Sequence, residues 1–240
     1  MMTNSLNELS ISETIRNITD SIENQCLRYH RKREDVRLMA VTKTVEPARV
    51  NQAIAAGITL LGENKAQELC SKFDSYNKNG VDIHFIGHLQ SNKARQVIDK
   101  VSMIESLESM SLAKELQKLC TLRDCTIDCL IEVNIGEEDT KSGVAPEKLE
   151  EFCYSLAPFD RIKVQGLMSI PPISSEEAQK ERYFSNLYKL FIDIRDKKID
   201  NINMNFLSMG MSDDYLLAIK HGSNIVRIGS AIFGRRNYSK

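Results

Sequence analysis

Lys43 closes the run "LMAVTK", in which Leu38, Met39, Ala40 and Val41 read as a buried strand and the lysine stands at its C-terminal end, just before Pro47 opens the next segment. A lysine delivered to the mouth of a barrel by a buried strand is partly desolvated. It loses proton affinity and exposes a neutral amine able to attack an aldehyde and form a Schiff base. The plain alternative is an ordinary solvated lysine, and it is the place at a strand end that favours chemistry. Two later stretches, "FLSMGMSDD" (206–214) and "VRIGSAIFG" (226–234), supply hydroxyls in Ser208 and Ser230. They also supply glycines, Gly210 and Gly229, whose bare backbone lets N–H groups come close to an anion. Singly, such residues are common turns and caps. Arg227 stands between Val226 and Ile228, so strand alternation turns it toward a barrel interior if its neighbours face helices. A buried guanidinium needs an acceptor, either an internal carboxylate such as Glu63 or Glu132, or a ligand.

These groups meet only if the elements place them on one rim. Eight strand-like runs occur: "RLMAVTK", "ITLLG", "DIHFIGH", "SMIES", "TIDCLIEVN", "KVQGLMSI", "NFLSM" and "NIVRIG". Helix-like segments lie between them, from "PARVNQAIAAG" to "DDYLLAIKHG". Alternation of this kind predicts parallel strands joined by right-handed crossovers, and eight units in 240 residues fit an α/β fold of the (β/α)8 TIM-barrel type. In such barrels the C-terminal rim carries the site, and the loops after strands seven and eight frequently hold phosphate. An amphipathic helix over about 5–33 precedes the first strand, so residues 1–35 are expected to pack on the barrel within a single domain, 1–240. Pro47 suits a first helical turn, Gly57 and Gly222 suit helix stops, and Ser212 suits an N-cap.

Composition narrows the function classes. A net charge of -1 and a pI near 6.5 leave no field that would recruit nucleic acid. The basic run "RYHRKRED" is interrupted by Glu34 and Asp35 and reads as a solvated helix face. The polar N-terminus has no apolar signal core and no segment is long enough to span a membrane, so the expectation is a cytoplasmic protein. The six cysteines lack a C-x-x-C pair and read as reduced thiols, those at 120, 125 and 129 as small packing groups rather than metal ligands.

The motifs "AVTKT", "GENKAQE", "HFIGHLQSNK", "GLMSIPP", "LSMGMSDDY" and "VRIGSAIFG" occur in this order over about residues 36–236. Together they resemble the motif set of the pyridoxal phosphate homeostasis protein family, whose members are single-domain barrels similar to the N-terminal domain of alanine racemase. The resemblance implies that Lys43 holds pyridoxal 5′-phosphate as an internal aldimine and that Arg227 faces the pyridine nitrogen. It also implies that Ser208, Gly229 and Ser230 bind the phosphate while Asn64 and Met168 line the pocket. Ser230 stands where relatives often have threonine, which keeps the hydroxyl, and Lys65 stands where they often have an aromatic residue or arginine. His84 and His88 are expected to be satisfied or solvent-facing, and Gln90, Asn92 and Lys93 to begin a helix.

Arginine cannot accept the pyridinium proton, so the ring opposite it would be a weak electron sink. Racemases resembling this barrel add a tyrosine from a second domain. Here the chain ends at Lys240, with Tyr215 and Tyr238 near the phosphate loops or in the tail, and no such group is expected. The leading expectation is a non-catalytic monomer that stores, buffers or delivers the cofactor to apo-enzymes. The alternatives are a pyridoxal-phosphate enzyme such as a weak amino-acid racemase, and a cofactor-free Schiff-base aldolase.

Overall fold

A computed structural model of the chain describes residues 9–138, 142–172, 174 and 176–234. Eight parallel strands close into a barrel in chain order: β1 (Arg37–Val41), β2 (Leu60–Glu63), β3 (Asp82–Phe85), β4 (Met103–Leu107), β5 (Ile127–Glu132), β6 (Ile162–Met168), β7 (Ile202–Ser208) and β8 (Ile225–Ile228). Closure is made by β8 against β1, with Arg227 beside Met39 in register. The expected (β/α)8 architecture is therefore present. Strand β7 starts earlier than expected: exposed Asn203 and Asn205 alternate with buried Ile202 and Met204 and so interrupt the continuous apolar run of a barrel strand.

Alternation sorts the strand residues into two layers. Met39, Val41, Leu60, Ile86 and Ile225 cluster with Phe206 inside the barrel, and Met103, Leu130 and Met168 meet the same Phe206 from the other side. The complementary residues, such as Leu61, Ile104, Ile131 and Val226, face the helices in the larger core.

The first helix, α1 (Ile11–Arg28), is shorter than the expected 5–33; residues 5–8 lie outside the described residues. It begins where it does because Ser10 and Glu13 form a reciprocal capping box. It stops because His30 turns left-handed and the Arg31 N–H reaches back to the Cys26 carbonyl at 2.9 Å. Ile15, Ile18, Ile22 and Cys26 form its buried stripe.

The crossovers are α2 (Pro47–Ala55), α3 (Ala66–Lys72), α4 (Ala94–Val97), α5 (Met110–Leu122), α6 (Leu149–Leu156), α7 (Glu177–Lys197) and α8 (Tyr215–Lys220), with α9 (Ser230–Phe233) after the last strand. Helix α1 packs on α8, α2 and α9. Gln25 and Arg31 pin it there by donating to the carbonyls of Leu216 at 2.7 Å and of Ile219 at 2.8 Å. Pro47 occupies the first turn of α2, and Gly57 and Gly222 follow helices at φ 101° and 94°, as expected. Ser212 is not the N-cap of α8. That helix starts three residues later, after Asp214, whose carboxylate accepts from the Met211 N–H at 2.7 Å. The six cysteines are free thiols, with Cys120 and Cys129 fully buried. Among the described residues no helix is long and apolar enough to cross a membrane, and no His/Cys/Asp/Glu group could hold a metal ion. Tyr238 lies outside the described residues.

Candidate functional site

The turn after β1 sets the position of Lys43. The Val45 N–H donates to the Thr42 carbonyl at 3.0 Å, and the intervening Thr44 takes a left-handed φ of 62°, an uncommon conformation for a β-branched residue. Two carboxylates hold this turn from outside the barrel. The Thr42 hydroxyl and the Tyr76 hydroxyl both donate to Glu63 Oε1 at 2.6 Å. The Thr44 N–H donates to Glu68, which also pairs with Lys72. Burial pushes the Glu63 carboxyl up, against the two hydroxyl donors, and burial together with Glu63 pushes the Tyr76 phenol up. Lys43 itself is half-buried.

Lys43 opens into a cavity of about 610 Å³ at the C-terminal rim, the size of a small-molecule site. Five of the expected site residues line it: Lys43, Asn64, Arg227, Gly229 and Ser230. Asn64 follows β2 and is backed by Gly87, where a Cβ would lie 2.1 Å from the Asn64 carbonyl oxygen. Across the cavity the loops after β7 and β8 are tied together, since the Ala231 N–H donates to Ser212 Oγ at 3.3 Å and the Arg227 N–H to the Gly210 carbonyl at 3.0 Å. Gly210 has φ 90° and passes so close to α8 that a Cβ would sit 2.5 Å from that of Ala218, so only glycine suits this turn.

Ser208 and Met168 do not line the cavity; both are fully buried in the barrel. Met168 packs with Met103, Leu130 and Phe206. The Ser208 hydroxyl donates to Glu105 Oε2 at 2.6 Å and accepts from an Arg227 Nη at 2.8 Å. The other Arg227 Nη donates to the Ser169 carbonyl at 2.8 Å. The expected carboxylate partners are thereby revised. Glu63 faces outward to Thr42 and Tyr76, and Glu132 lies near enough to act on the guanidinium charge. Glu105 is the carboxylate bonded toward Arg227 through Ser208.

Burial acts to lower the Arg227 pKa, and Glu105, Glu132 and Asp214 oppose it. His84 is buried and bonded to Glu105 Oε1 through Nδ1 at 2.6 Å, whereas His88 is exposed beside Glu108. Burial, reinforced by Glu108, pushes the Glu132 carboxyl up to about 7.

Several residues at the site had no expected role there: Arg49, Ile170, Ser212 and Asp213 line the cavity, and Glu105 lies beneath it. Glu105 could have been found, because an acid in the middle of the apolar run "SMIES" must face an interior partner.

The family model described as alanine racemase, N-terminal domain, matches residues 19–237. A pyridoxal phosphate homeostasis protein of Aquifex aeolicus is 36% identical over 230 residues, which cover 96% of this chain and 100% of that relative. The crystal structure of a Bifidobacterium adolescentis protein, described as unknown, has a TM-score of 0.88 at 34% identity and covers 93% of this chain and 94% of its own. The structure of PipY from Synechococcus elongatus with PLP bound has a TM-score of 0.81 at 26% identity and covers 94% of this chain and 100% of its own.

Proposed function

Since this chain belongs to the alanine racemase N-terminal domain family and, within it, to the pyridoxal phosphate homeostasis proteins, we propose that it binds pyridoxal 5′-phosphate (PLP) through Lys43. In this reading it holds the cofactor as part of intracellular vitamin B6 balance and does not turn over amino acids. The observation that supports it best is the meeting, around one cavity, of the Lys43 amine, the Arg227 guanidinium and the Gly229–Ser230 turn.

Those residues fit the group. A half-buried amine suits an aldehyde, a turn carrying glycine and a hydroxyl suits a phosphate, and a buried arginine suits a ring nitrogen that accepts but does not donate. The cofactor supplies an aldehyde and an electron-withdrawing ring. Lys43 is the residue that would hold this group covalently, its amine condensing with the aldehyde as one water leaves. Gly229 and Ser230, with the adjoining Ser212 loop, would take the phosphate. Asn64 lines the wall beside Lys43, and Met168 and Ser208 act from below, on the floor and on Arg227.

Arg227 can only donate to the ring nitrogen, so that nitrogen would stay unprotonated and the ring would be a poor sink for negative charge. Among the described residues, the other titratable groups on the cavity wall are Glu46, Arg49 and Asp213. A tyrosine or histidine opposite Lys43 is not among them. The two carboxylates are what a weak racemase would have to use, and they are the observation that keeps that second reading in play.

The test has two parts. Titration with PLP should give a protein-bound visible band that Lys43→Ala lacks, and pyridoxal should bind much more weakly. Removal of one charge-assisted hydrogen bond costs about 1.5–3 kcal/mol, so loss of the whole phosphate should cost at least tenfold in affinity. Chiral analysis of L- and D-alanine after long incubation with loaded protein should show no interconversion beyond the Lys43→Ala blank. Equal affinity for pyridoxal and its phosphate contradicts the binding mode, and Lys43-dependent racemisation at ordinary enzyme rates contradicts the non-catalytic role. Delivery to PLP-dependent apo-enzymes, a monomeric state and a cytoplasmic location belong to the same proposal.

A further inference from the structure

We infer that Glu105, anchored by His84, is the positioning residue that orders Ser208 and through it aims Arg227 at the ligand in the cavity. The inference rests on the proposed binding of PLP, with Arg227 at the ring nitrogen, and assigns work to residues that no contact with the ligand would reveal.

The chain of contacts runs across the barrel interior from β3 to β4 to β7 to β8, and its members are at most 3% exposed. His84 Nδ1 lies 2.6 Å from Glu105 Oε1, Ser208 Oγ 2.6 Å from Glu105 Oε2, and an Arg227 Nη 2.8 Å from Ser208 Oγ. Burial works to raise the Glu105 pKa, but the His84 ring, Arg227 and the Ser208 hydroxyl outweigh it and hold the group below the usual carboxylate range. Glu105 is therefore a carboxylate, and a carboxylate only accepts.

That fixes the direction of each proton. Ser208 has one hydroxyl proton and gives it to Glu105, so toward Arg227 it presents a lone pair. A hydroxyl left to rotate could turn its proton toward the guanidinium, where two donors would clash. The second Arg227 Nη is held by the Ser169 carbonyl, and Ser169 is itself locked because its hydroxyl donates to the Val133 carbonyl at 2.7 Å. Two of the five guanidinium donors are thus committed below the cavity, and the remainder are those able to meet an acceptor within it.

Glu132 and Asp214 also act on the Arg227 charge, but among the described residues the bonds of the guanidinium go to Ser208 and Ser169, and the Glu132 carboxyl is pushed toward its neutral form by burial and Glu108. Ser208, the phosphate ligand expected from the family pattern, has its only proton engaged with Glu105. Its effect on the ligand runs through Arg227 instead.

The experiment loads wild type, Glu105→Gln, Ser208→Ala and Ser208→Thr with PLP labelled with ¹⁵N in the ring and reads the ring nitrogen by NMR. Circular dichroism and the visible band establish that each variant is folded and occupied. Wild type and Ser208→Thr should give one resonance of a hydrogen-bonded, unprotonated ring. In Glu105→Gln and Ser208→Ala that resonance should move toward the position of free pyridine while the link to Lys43 persists.

A merely structural role predicts lower stability with an unmoved resonance, and that result in the two variants overturns the inference; should Glu105→Gln not fold, Ser208→Ala decides it. The unloaded proteins supply the second arm. There the Arg227 guanidinium signals should shift in Glu105→Gln and in Ser208→Ala, and the downfield His84 ring N–H proton should vanish only in Glu105→Gln. If wild type takes up no PLP, the proposed function fails while this arm still decides the positioning chain: unshifted Arg227 signals refute it.

Discussion

Glu132 and Tyr76 put two buried side chains to a quantitative test. Glu132 is 7% exposed and its carboxyl is raised from 4.5 to about 7, chiefly by burial. Below the unfolded pKa it is protonated in both states and has no effect. As pH rises from 4.5 toward 7 the unfolded chain ionises first, so stability falls, and above 7 the loss is constant. Glu132→Gln removes that loss and should stabilise the protein relative to wild type by about 1–3 kcal/mol near pH 8, and hardly at all near pH 4.5, in denaturant titrations. A gain that is largest in acid would reverse the sign and contradict the burial account.

Tyr76 is 4% exposed and donates to a Glu63 carboxyl whose other oxygen is buried without a partner among the described residues, so Tyr76→Phe leaves that carboxyl less satisfied. It should cost about 1–3 kcal/mol, measured by the same titration. At this scale Lys43 and Arg227 were legible because a cation at the end of, or inside, an apolar strand stands out. Glu105 was not recognised, since its partner Ser208 lies 103 positions away and only closure of the barrel brings the two together.

The elements that carry the site are held to it by close backbone approaches as much as by side chains. At Gly87, after β3, an added Cβ would stand 2.1 Å from the Asn64 carbonyl oxygen, and at Gly166, in β6, 1.8 Å from that of Phe206. Both obstacles are backbone, which cannot swing aside. Gly87→Ala should therefore cost about 2–4 kcal/mol and, by displacing Asn64, weaken PLP binding as well. A variant with wild-type melting and binding would mean that the β2 and β3 ends can separate freely.

Strand existence was readable from the alternation of apolar runs and helical patterns, and helix stops from Gly57 and Gly222. Boundaries were less so. Polar Asn203 and Asn205 obscured the start of β7, and the left-handed turn at His30 cut α1 short where composition alone would have continued it. The true start of α1 was written in "SISE", whose Ser10 and Glu13 form the capping box.

For the molecule as a whole, the barrel brings β1, β2, β7 and β8 to one rim, and so joins residues as far apart in sequence as 43 and 230. The order of elements made this much legible, because parallel closure leaves one rim on which all strands end. The interior polar chain was hidden for the same reason, since depth within a barrel depends on strand stagger. The central claim is that Lys43 alone holds the cofactor. The most direct measurement is borohydride reduction of the PLP-loaded protein followed by peptide mapping. The account predicts a pyridoxyl group on Lys43 and its loss in Lys43→Ala. A label spread over Lys65, Lys72 or Lys93, or one that is as abundant in Lys43→Ala as in wild type, would contradict it.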